Sequence, residues 1–391
     1  MRDVYIVGIG ITSFTRLEYP LVEIAAYAGA QALQDAGLDK VDHLYVANMG
    51  AGRLNHQTGL CNAVLDNLSL MPAGAEGIEN GPASGASAVK TAHMAIASGM
   101  MDSVLVVGAE RMSEVNQLDA TDFVASLAHP LAEQIYGVTL PSLAGMFTRL
   151  YMDKYGLTRR HLAMVSIKNH ENGMHNPFAH VHTRITMEGI LDGKDAATNN
   201  PPIADPLHFF DVCPVSDGAA AVVMCSAEVA KKLNKPMIKV AGVGQGTDTL
   251  AVHDRENPTD LLAVRMAAQK AFDMAKMKPA EINVAELHDA FTILEIVESE
   301  ECGFFKKGEG HKALEKGVTK IGGELPINPS GGLKSKGHPV GATGVAHVHE
   351  IVTQLRGEAK GRQVKGAKTG FTCNFGGFGN NVVCMVLKRE A

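Results

Sequence analysis

Three polar or glycine-rich stretches in the second half of this 391-residue chain carry side chains that can move protons. His288 lies in Glu-Leu-His-Asp-Ala-Phe, His338 in Gly-His-Pro-Val-Gly-Ala-Thr-Gly, and Cys373 in Cys-Asn-Phe-Gly-Gly-Phe-Gly. An imidazole serves as base or hydrogen-bond donor near neutral pH, and a thiol can serve as acid or base. Their joint occurrence predicts proton transfer at a substrate held in glycine-bearing loops.

The elements around these loops predict an α/β fold. Each loop follows a strand or opens a helix, which is where α/β sheets place their sites. Runs rich in Val and Ile alternate with Ala-rich stretches, a pattern typical of a largely parallel, buried sheet between helices. Residues 4–10 and 238–244 are both strands that run into Gly-x-Gly, and four further pairs of similar segments follow in the same order. The chain therefore reads as two copies of a βαβ-type unit.

The repeat also predicts the domain boundaries. Residues 119–206 have no counterpart in the second half, and we interpret them as an inserted loop domain. The first half then comprises residues 1–118 plus 207–232, the second half residues 236–391, and the linker lies near residues 231–235. An Ala/Gly-rich helix in each half offers little side-chain bulk, so we expect these two helices to pack together.

Composition excludes several classes of partner. A net charge of −6 with mixed signs gives no basic surface for nucleic acid or an anionic membrane. No apolar run approaches the roughly 18 residues that span a bilayer, and the first residues read as a strand rather than a signal peptide. Six cysteines without a C-x-x-C pair fit a reducing compartment, so the expected location is the cytoplasm.

The remaining signals predict neither a metal nor a permanently bound cofactor. The two Gly-x-Gly turns lack the third glycine and the acidic residue of a dinucleotide site. The histidines of the insertion match no standard zinc spacing. Most cysteines are interpreted as packing residues, and Cys302 lies beside acids that disfavour a thiolate. The histidines are His170, His175, His180 and His182, and the packing cysteines are Cys61, Cys213, Cys225 and Cys384.

Taken together, the three loops resemble those of the thiolase superfamily, most closely its archaeal and sterol-carrier-protein-type branches. HDAF, GHPVGATG and CNFGGFG match its motifs, and IADPLHFFDVCPVSDGAAAVV resembles the segment that closes the first half. The resemblance covers essentially the whole chain. It implies a thiolase-like fold of two duplicated βαβαβαββ halves with an inserted loop domain, assembled as a homodimer or larger.

The resemblance also implies a function. Family members make or break a carbon–carbon bond next to an acyl-CoA thioester, as acyltransferases of lipid or fatty-acid-type metabolism, with coenzyme A thioester as substrate. Archaeal-type members also associate with a small zinc-ribbon/OB-fold protein. His338 would be the base, Cys373 the acid/base at the α-carbon, and His288 the donor to the thioester oxygen. The implied substrate- and CoA-binding residues are Ala290, Phe291, Phe375 and Gly376.

One position departs from the family pattern. The family's nucleophilic cysteine opens the Ala/Gly-rich helix of the first half, and here that position is Pro82, in Glu79-Asn-Gly-Pro-Ala-Ser-Gly85. Proline supplies neither a thiol nor the backbone N–H of an oxyanion hole. Loss of a nucleophile costs roughly 10⁴–10⁶ in rate in other enzymes. Ser84 could replace it only with a base to activate it, and a structural role for this serine is the simpler interpretation.

Three functions remain open at this point. A retro-aldol or related Claisen-type cleavage needs a base, an oxyanion donor and an acid, but no acyl-cysteine. A non-catalytic subunit paired with an active thiolase-like chain would have no need of the thiol. Conventional thiolysis would need a nucleophile from a neighbouring loop or a partner.

Overall fold

The structure is a computed structural model that describes residues 1–233 and 235–390. Asn234, within the predicted linker, and Ala391, the last residue of the predicted second half, lie outside the described residues. The strands are β1 Val4–Ile11, β2 His43–Ala47, β3 Gly74–Ile78, β4 Ser103–Glu110, β5 Pro202–Ala204, β6 Leu207–His208, β7 Gly218–Ser226, β8 Ile238–Thr247, β9 Val284–Glu286, β10 Thr369–Gly376 and β11 Asn381–Arg389. The helices are α1 Leu21–Ala36, α2 Ala51–Leu54, α3 Leu60–Asn67, α4 Ser84–Ser98, α5 Gln117–Ala125, α6 Leu140–Tyr155, α7 Arg159–Gly173, α8 Ala196–Asn199, α9 Ala227–Ala230, α10 Leu262–Ala275, α11 Thr292–Glu301, α12 Gly310–Glu315, α13 Gly332–Lys336 and α14 Val340–Arg356.

The strands of both halves join in one sheet with a mirrored order. Among the described residues it has nine strands, β3-β2-β4-β7-β1-β8-β11-β10-β9. The two first strands, β1 and β8, pair at the centre through Tyr5 with Lys239 and Ile6 with Ile238. Outward from this junction the order of the second half repeats that of the first, as expected for a duplicated unit.

The sheet is mixed, so the prediction of a largely parallel sheet was wrong. The pairs β2–β3, β2–β4 and β9–β10 are parallel. The ladders formed by β7 and β11 with their neighbours are antiparallel. The reason is visible in β10 and β11, which are joined by the short loop at residues 377–380 rather than by a crossover helix.

The Ala/Gly-rich helices α4 and α14 pack against each other between the two halves. A Cβ atom added to Gly85 would lie 2.8 Å from the backbone nitrogen of Val345, and one added to Gly344 only 2.2 Å from that of Ala86. The predicted pairing of these helices is therefore present at backbone contact distance. Apolar residues on the inner face of the sheet pack around this pair. Helices α1 and α3 cover the outer face of the first half, and α10 and α11 that of the second half.

Part of the segment predicted as an insertion packs against the second half. Helix α7 places Lys168 3.1 Å from the carboxylate of Glu295 on α11, and both side chains are buried. The Tyr151 hydroxyl of α6 donates to Glu300 at 2.6 Å. The insertion therefore supports the helix that follows the His288 loop. In the part of the chain that the structure describes, no helix has the length and apolar character needed to cross a membrane.

Candidate active site

The fold brings His288 and His338 together. His288 follows the edge strand β9, and His338 lies two residues before the start of α14. The ring centroids are 4.8 Å apart with an interplanar angle of 85°. The residues are 3% and 8% exposed, so the two imidazoles form a nearly enclosed pair.

The hydrogen bonds of His338 leave one ring nitrogen free to accept a proton. Its Nδ1 lies 2.6 Å from the hydroxyl oxygen of Thr343. That hydroxyl also lies 3.0 Å from the carbonyl of Pro339, and when it donates its proton there it accepts from Nδ1–H. A neutral imidazole carries one proton, so in this arrangement Nε2 of His338 is unprotonated. This is the tautomer that a general base requires.

The hydrogen bonds of His288 select the opposite tautomer. Its Nδ1 lies 3.1 Å from Nδ2 of Asn374. The amide orientation of Asn374 is fixed because its Oδ1 accepts from the backbone N–H of Ala86 on α4 at 3.4 Å. Asn374 therefore donates to Nδ1, and the ring proton of His288 resides on Nε2. This histidine presents a donor, as stabilisation of an oxyanion requires.

The electrostatic environment keeps both histidines neutral. Burial, reinforced by the charge of Lys336, lowers the pKa of His338 to about 3. Burial, followed by the neighbouring His338, His347 and Lys336, lowers the pKa of His288 well below its usual value. Lys336 itself pairs with the buried Glu286 at 3.4 Å. Neither imidazole is therefore positively charged at neutral pH.

Residues that sequence reasoning missed hold the His288 loop in place. The backbone N–H of His288 donates to Glu298 Oε2 at 2.9 Å. Asp289 accepts from the backbone of Leu333 at 2.6 Å and from the side-chain amide of Asn169 at 2.7 Å. Asn169 belongs to α7, more than a hundred residues earlier in the chain, so no local pattern reveals it. Thr343, by contrast, was detectable, since the first turn of α14 places it above His338.

Cys373 belongs to a different group of side chains. Asn374 points to His288 and α4, and neighbouring strand residues alternate between faces, so Cys373 points to the side covered by α11. Its Sγ lies within 4.8 Å of those of Cys302 and Cys384. Burial raises the pKa of its thiol well above the usual value. The structure thus unites the two histidines and places Cys373 in a separate thiol cluster.

Comparison with known proteins agrees with the motifs. Residues 4–228 match the family described as the thiolase N-terminal domain, and residues 244–389 match the thiolase C-terminal domain-like family. The chain belongs to the thiolase superfamily. The family and fold predicted from the sequence are thereby confirmed.

Three similar proteins illustrate the range of the superfamily around this chain. An acetyl-CoA acetyltransferase of Methanothermobacter thermautotrophicus is 41% identical over 392 residues, covering 100% of both chains. Sterol carrier protein 2 of Homo sapiens is 31% identical, over 99% of this chain and 72% of that protein. The solved structure of an Ltp2-ChsH2(DUF35) aldolase is 26% identical and superposes with a TM-score of 0.84, covering 99% of this chain and 98% of that one.

Pro82, which the sequence resemblance aligns with the nucleophile of the family, is buried. The turn before it packs against the loop after β10, because the side-chain amide of Asn381 donates to Asn80 Oδ1 at 2.6 Å. A Cβ atom on Gly376 would lie 2.9 Å from the carbonyl oxygen of Asn80. Gly376 is therefore required for this contact.

Ser84, the alternative nucleophile, is held by its own turn. Its hydroxyl donates to the carbonyl of Gly81 at 2.5 Å and accepts from the backbone N–H of Asn80 at 2.8 Å. The residue is completely buried. These bonds support the structural interpretation of Ser84.

The residues expected to line the pantetheine channel are mostly buried in the protein. Ala290 is 9% exposed, and its carbonyl accepts from the backbone N–H of Cys213 at 3.0 Å. Phe291 is 5% exposed and forms a bridge with Val212. Phe375 stacks on His288 with ring centroids 5.5 Å apart and an interplanar angle of 5°. Phe375 therefore borders the histidine pair directly, and the substrate-binding roles of all three stay predictions.

Proposed function

We propose that this thiolase-superfamily chain cleaves or forms the carbon–carbon bond next to an acyl-CoA thioester by a retro-aldol mechanism, without an acyl-cysteine. The observation that carries the proposal is the enclosed pair of imidazoles, whose hydrogen-bond partners favour a free Nε2 on His338 and an Nε2–H on His288. This pair supplies a base and an oxyanion donor where Pro82 removes the nucleophile. The similar protein with an aldolase activity in its name supports the same reaction class.

The reaction proceeds in two steps on a 3-hydroxyacyl-CoA. Nε2 of His338 takes the proton of the 3-hydroxyl, the carbonyl forms at Cβ, and the Cα–Cβ bond breaks. The bonding electrons move to the thioester as an enolate, whose oxygen accepts from Nε2–H of His288. The proton held by His338 then returns to Cα, giving an aldehyde or ketone and a shortened acyl-CoA. No oxidant, reductant or second nucleophile is consumed.

The remaining assignments follow from the resemblance. Ala290 and Phe291 would line the pantetheine channel, and Phe375 and Gly376 would contact the substrate or coenzyme A in the pocket. A homodimer is the expected assembly. The Ltp2-ChsH2(DUF35) complex supports association with a small protein of the DUF35 class.

Product analysis tests the proposal. The purified protein is incubated with 3-hydroxyacyl-CoA thioesters, and separately with 3-oxoacyl-CoA plus coenzyme A, and thioester and carbonyl products are followed by mass spectrometry. We expect cleavage of the hydroxy substrate without a covalent acyl-protein. His338→Ala should lower the rate by roughly 10²–10⁴, as for loss of a general base. His253→Ala, at an exposed histidine away from the site, is the matched control.

Several outcomes would contradict the proposal. Full activity in His338→Ala, or an acyl-protein adduct, would refute a histidine-based mechanism without a nucleophile. Cys373→Ala tests the sequence-based assignment of Cys373 as the acid. If its rate falls as much as that of His338→Ala, Cys373 rather than His338 supplies the proton to Cα.

Pro82 also favours a second candidate function, that of a non-catalytic subunit. Recovery from the native host only in complex with an active thiolase-like chain, and no turnover alone, would favour that candidate.

A further inference from the structure

Three cysteines that are far apart in the sequence meet on the outer side of the sheet of the second half. The Sγ atoms of Cys302, Cys373 and Cys384 all lie within 4.8 Å of one another. Cys373 and Cys384 are directly opposite each other in the antiparallel β10–β11 ladder, and Cys302 immediately follows α11. Each residue is at most 2% exposed. We call these three residues the thiol cluster.

A buried carboxylate adjoins the thiol cluster. Glu298 lies one helical turn before Cys302 on α11, so both side chains share a helix face. Its Oε2 accepts from the backbone N–H of His288 at 2.9 Å, and burial raises the pKa of this carboxyl well above its usual value. Among the described residues, its buried Oε1 has no hydrogen-bond partner. A buried oxygen left unpaired is unfavourable, and a bound cation would satisfy it.

The spacing of the thiol cluster matches one chemical class of ligand. Zinc binds thiolate sulfur at about 2.3 Å in a tetrahedral site, which places two such sulfurs about 3.8 Å apart. The sulfur–sulfur distances in the thiol cluster are at most 4.8 Å. Each sulfur would therefore move by at most about half an ångström toward the centre of the cluster to bind zinc. Carboxylate oxygen also binds zinc. The carboxylate of Glu298 lies outside the group of ligand atoms within 4.8 Å of one another, so it would also move toward the sulfurs to supply the fourth ligand.

Solvent approaches the thiol cluster from the outer surface. Cys302 lines a cleft of about 510 Å³ between α10 and α11. The cleft carries charged side chains of both signs, and Glu301 is paired there with Arg265 and Lys307. The cleft therefore brings solvent up to Cys302, at the side from which a cation would have to enter, and a metal site requires such an entry path.

We propose that the thiol cluster and Glu298 form a binding site for a zinc-class divalent cation. Binding converts three thiols to thiolates, releases their protons to solvent and forms three metal–sulfur bonds and one metal–oxygen bond. The sequence predicted no metal site because the three cysteines come from different elements and match no ligand spacing. Through Glu298, the bound cation would also fix the backbone of the proposed oxyanion donor, His288.

Metal binding is measured on the full chain, independently of turnover. The reduced, chelator-treated protein is titrated with Zn²⁺ and, as a spectroscopic probe, with Co²⁺, then desalted and analysed by elemental mass spectrometry. We expect one cation per chain and a thiolate-to-cobalt charge-transfer band. Cys384→Ala should weaken binding by at least about 100-fold, since even the outer-shell partners of a metal contribute 10–100-fold. Cys225→Ala, a fully buried cysteine outside the cluster, is the matched control and should bind normally.

Several results would refute the proposed zinc site. Absence of bound metal, or equal retention by wild type and Cys384→Ala, would overturn the proposal. A mass loss of two hydrogens on purification without reductant, with no metal bound, would instead identify a disulfide pair and also overturn it. Because Cys384→Ala could fail to fold, X-ray absorption of the zinc-loaded wild type provides a second test. Sulfur neighbours at about 2.3 Å support the site, and a shell of only oxygen and nitrogen refutes it.

Discussion

Replacement of Asn374 by aspartate reverses the proton position on His288 with almost no change in side-chain volume. The Asn374 amide donates to Nδ1 of His288 at 3.1 Å and thereby places the ring proton on Nε2. A carboxylate can only accept, so the introduced side chain would attract a proton to Nδ1 and leave Nε2 bare. In wild type the Asn374 side chain also accepts a hydrogen bond from the backbone N–H of Ala86. The introduced carboxylate can still accept that bond.

The magnitude follows from the loss of one oxyanion donor. Removal of such a donor costs roughly 10²–10³ in kcat, or about 2.7–4 kcal/mol. We therefore expect Asn374→Asp to lower kcat by this factor with little change in KM, because the donor acts on charge that develops in the transition state. Asn374→Ala removes the amide without imposing the wrong tautomer, so its loss should be smaller.

The assay combines turnover of a 3-hydroxyacyl-CoA with ¹⁵N NMR of labelled histidine. The NMR measurement reports the tautomer of His288 whether or not the substrate is the right one. Asn283→Asp is the control variant. The Asn283 Oδ1 accepts hydrogen bonds from the backbone N–H groups of Lys368 and Thr369, and an aspartate oxygen can accept the same bonds. An Nε2–H tautomer retained in Asn374→Asp, or a larger rate loss in Asn374→Ala, would refute the reasoning.

Two further predictions concern the base and the helix pair. Because the pKa of His338 is lowered to about 3, the imidazole stays neutral and active on acidification. We therefore expect kcat/KM to stay constant from pH 8 to about pH 5. A decrease of kcat/KM by about tenfold per pH unit below about pH 6.5, the usual pKa of histidine, would contradict this. Gly344→Ala would place a Cβ 2.2 Å from the backbone nitrogen of Ala86, and overpacking should lower the free energy of unfolding by about 1–3 kcal/mol or more. The control is Gly77→Ala, because an added Cβ there meets nothing within 4 Å. Both variants are measured by denaturant titration. An equal loss of stability in the two would show that the close packing of α4 and α14 is not the cause.

Much of the fold could be predicted because its evidence is repeated along the chain. The Gly-x-Gly strands and the Ala/Gly-rich helices occur once in each half, so each supports the interpretation of the other. The antiparallel ladders of β7 and β11 were missed because the pattern of a fully buried strand is the same in either direction. Strand direction depends on the connection, and the loop at residues 377–380 is too short for a crossover.

The sequence by itself determined the family and the two histidine loops, and it predicted that Pro82 takes the place of the nucleophile. These are properties of residue type and short spacing, which the printed chain displays directly. Only the tertiary structure decided which side chains meet. Side chains alternate along β10, so Asn374 points to His288 while Cys373 points to Cys302 and Cys384. Which of the two residues points to which face of the sheet depends on the register of β10 with β9 and β11. The tautomers of the two histidines, on which the proposed chemistry depends, are set by partners on α14 and β10, so they exist only in the folded chain.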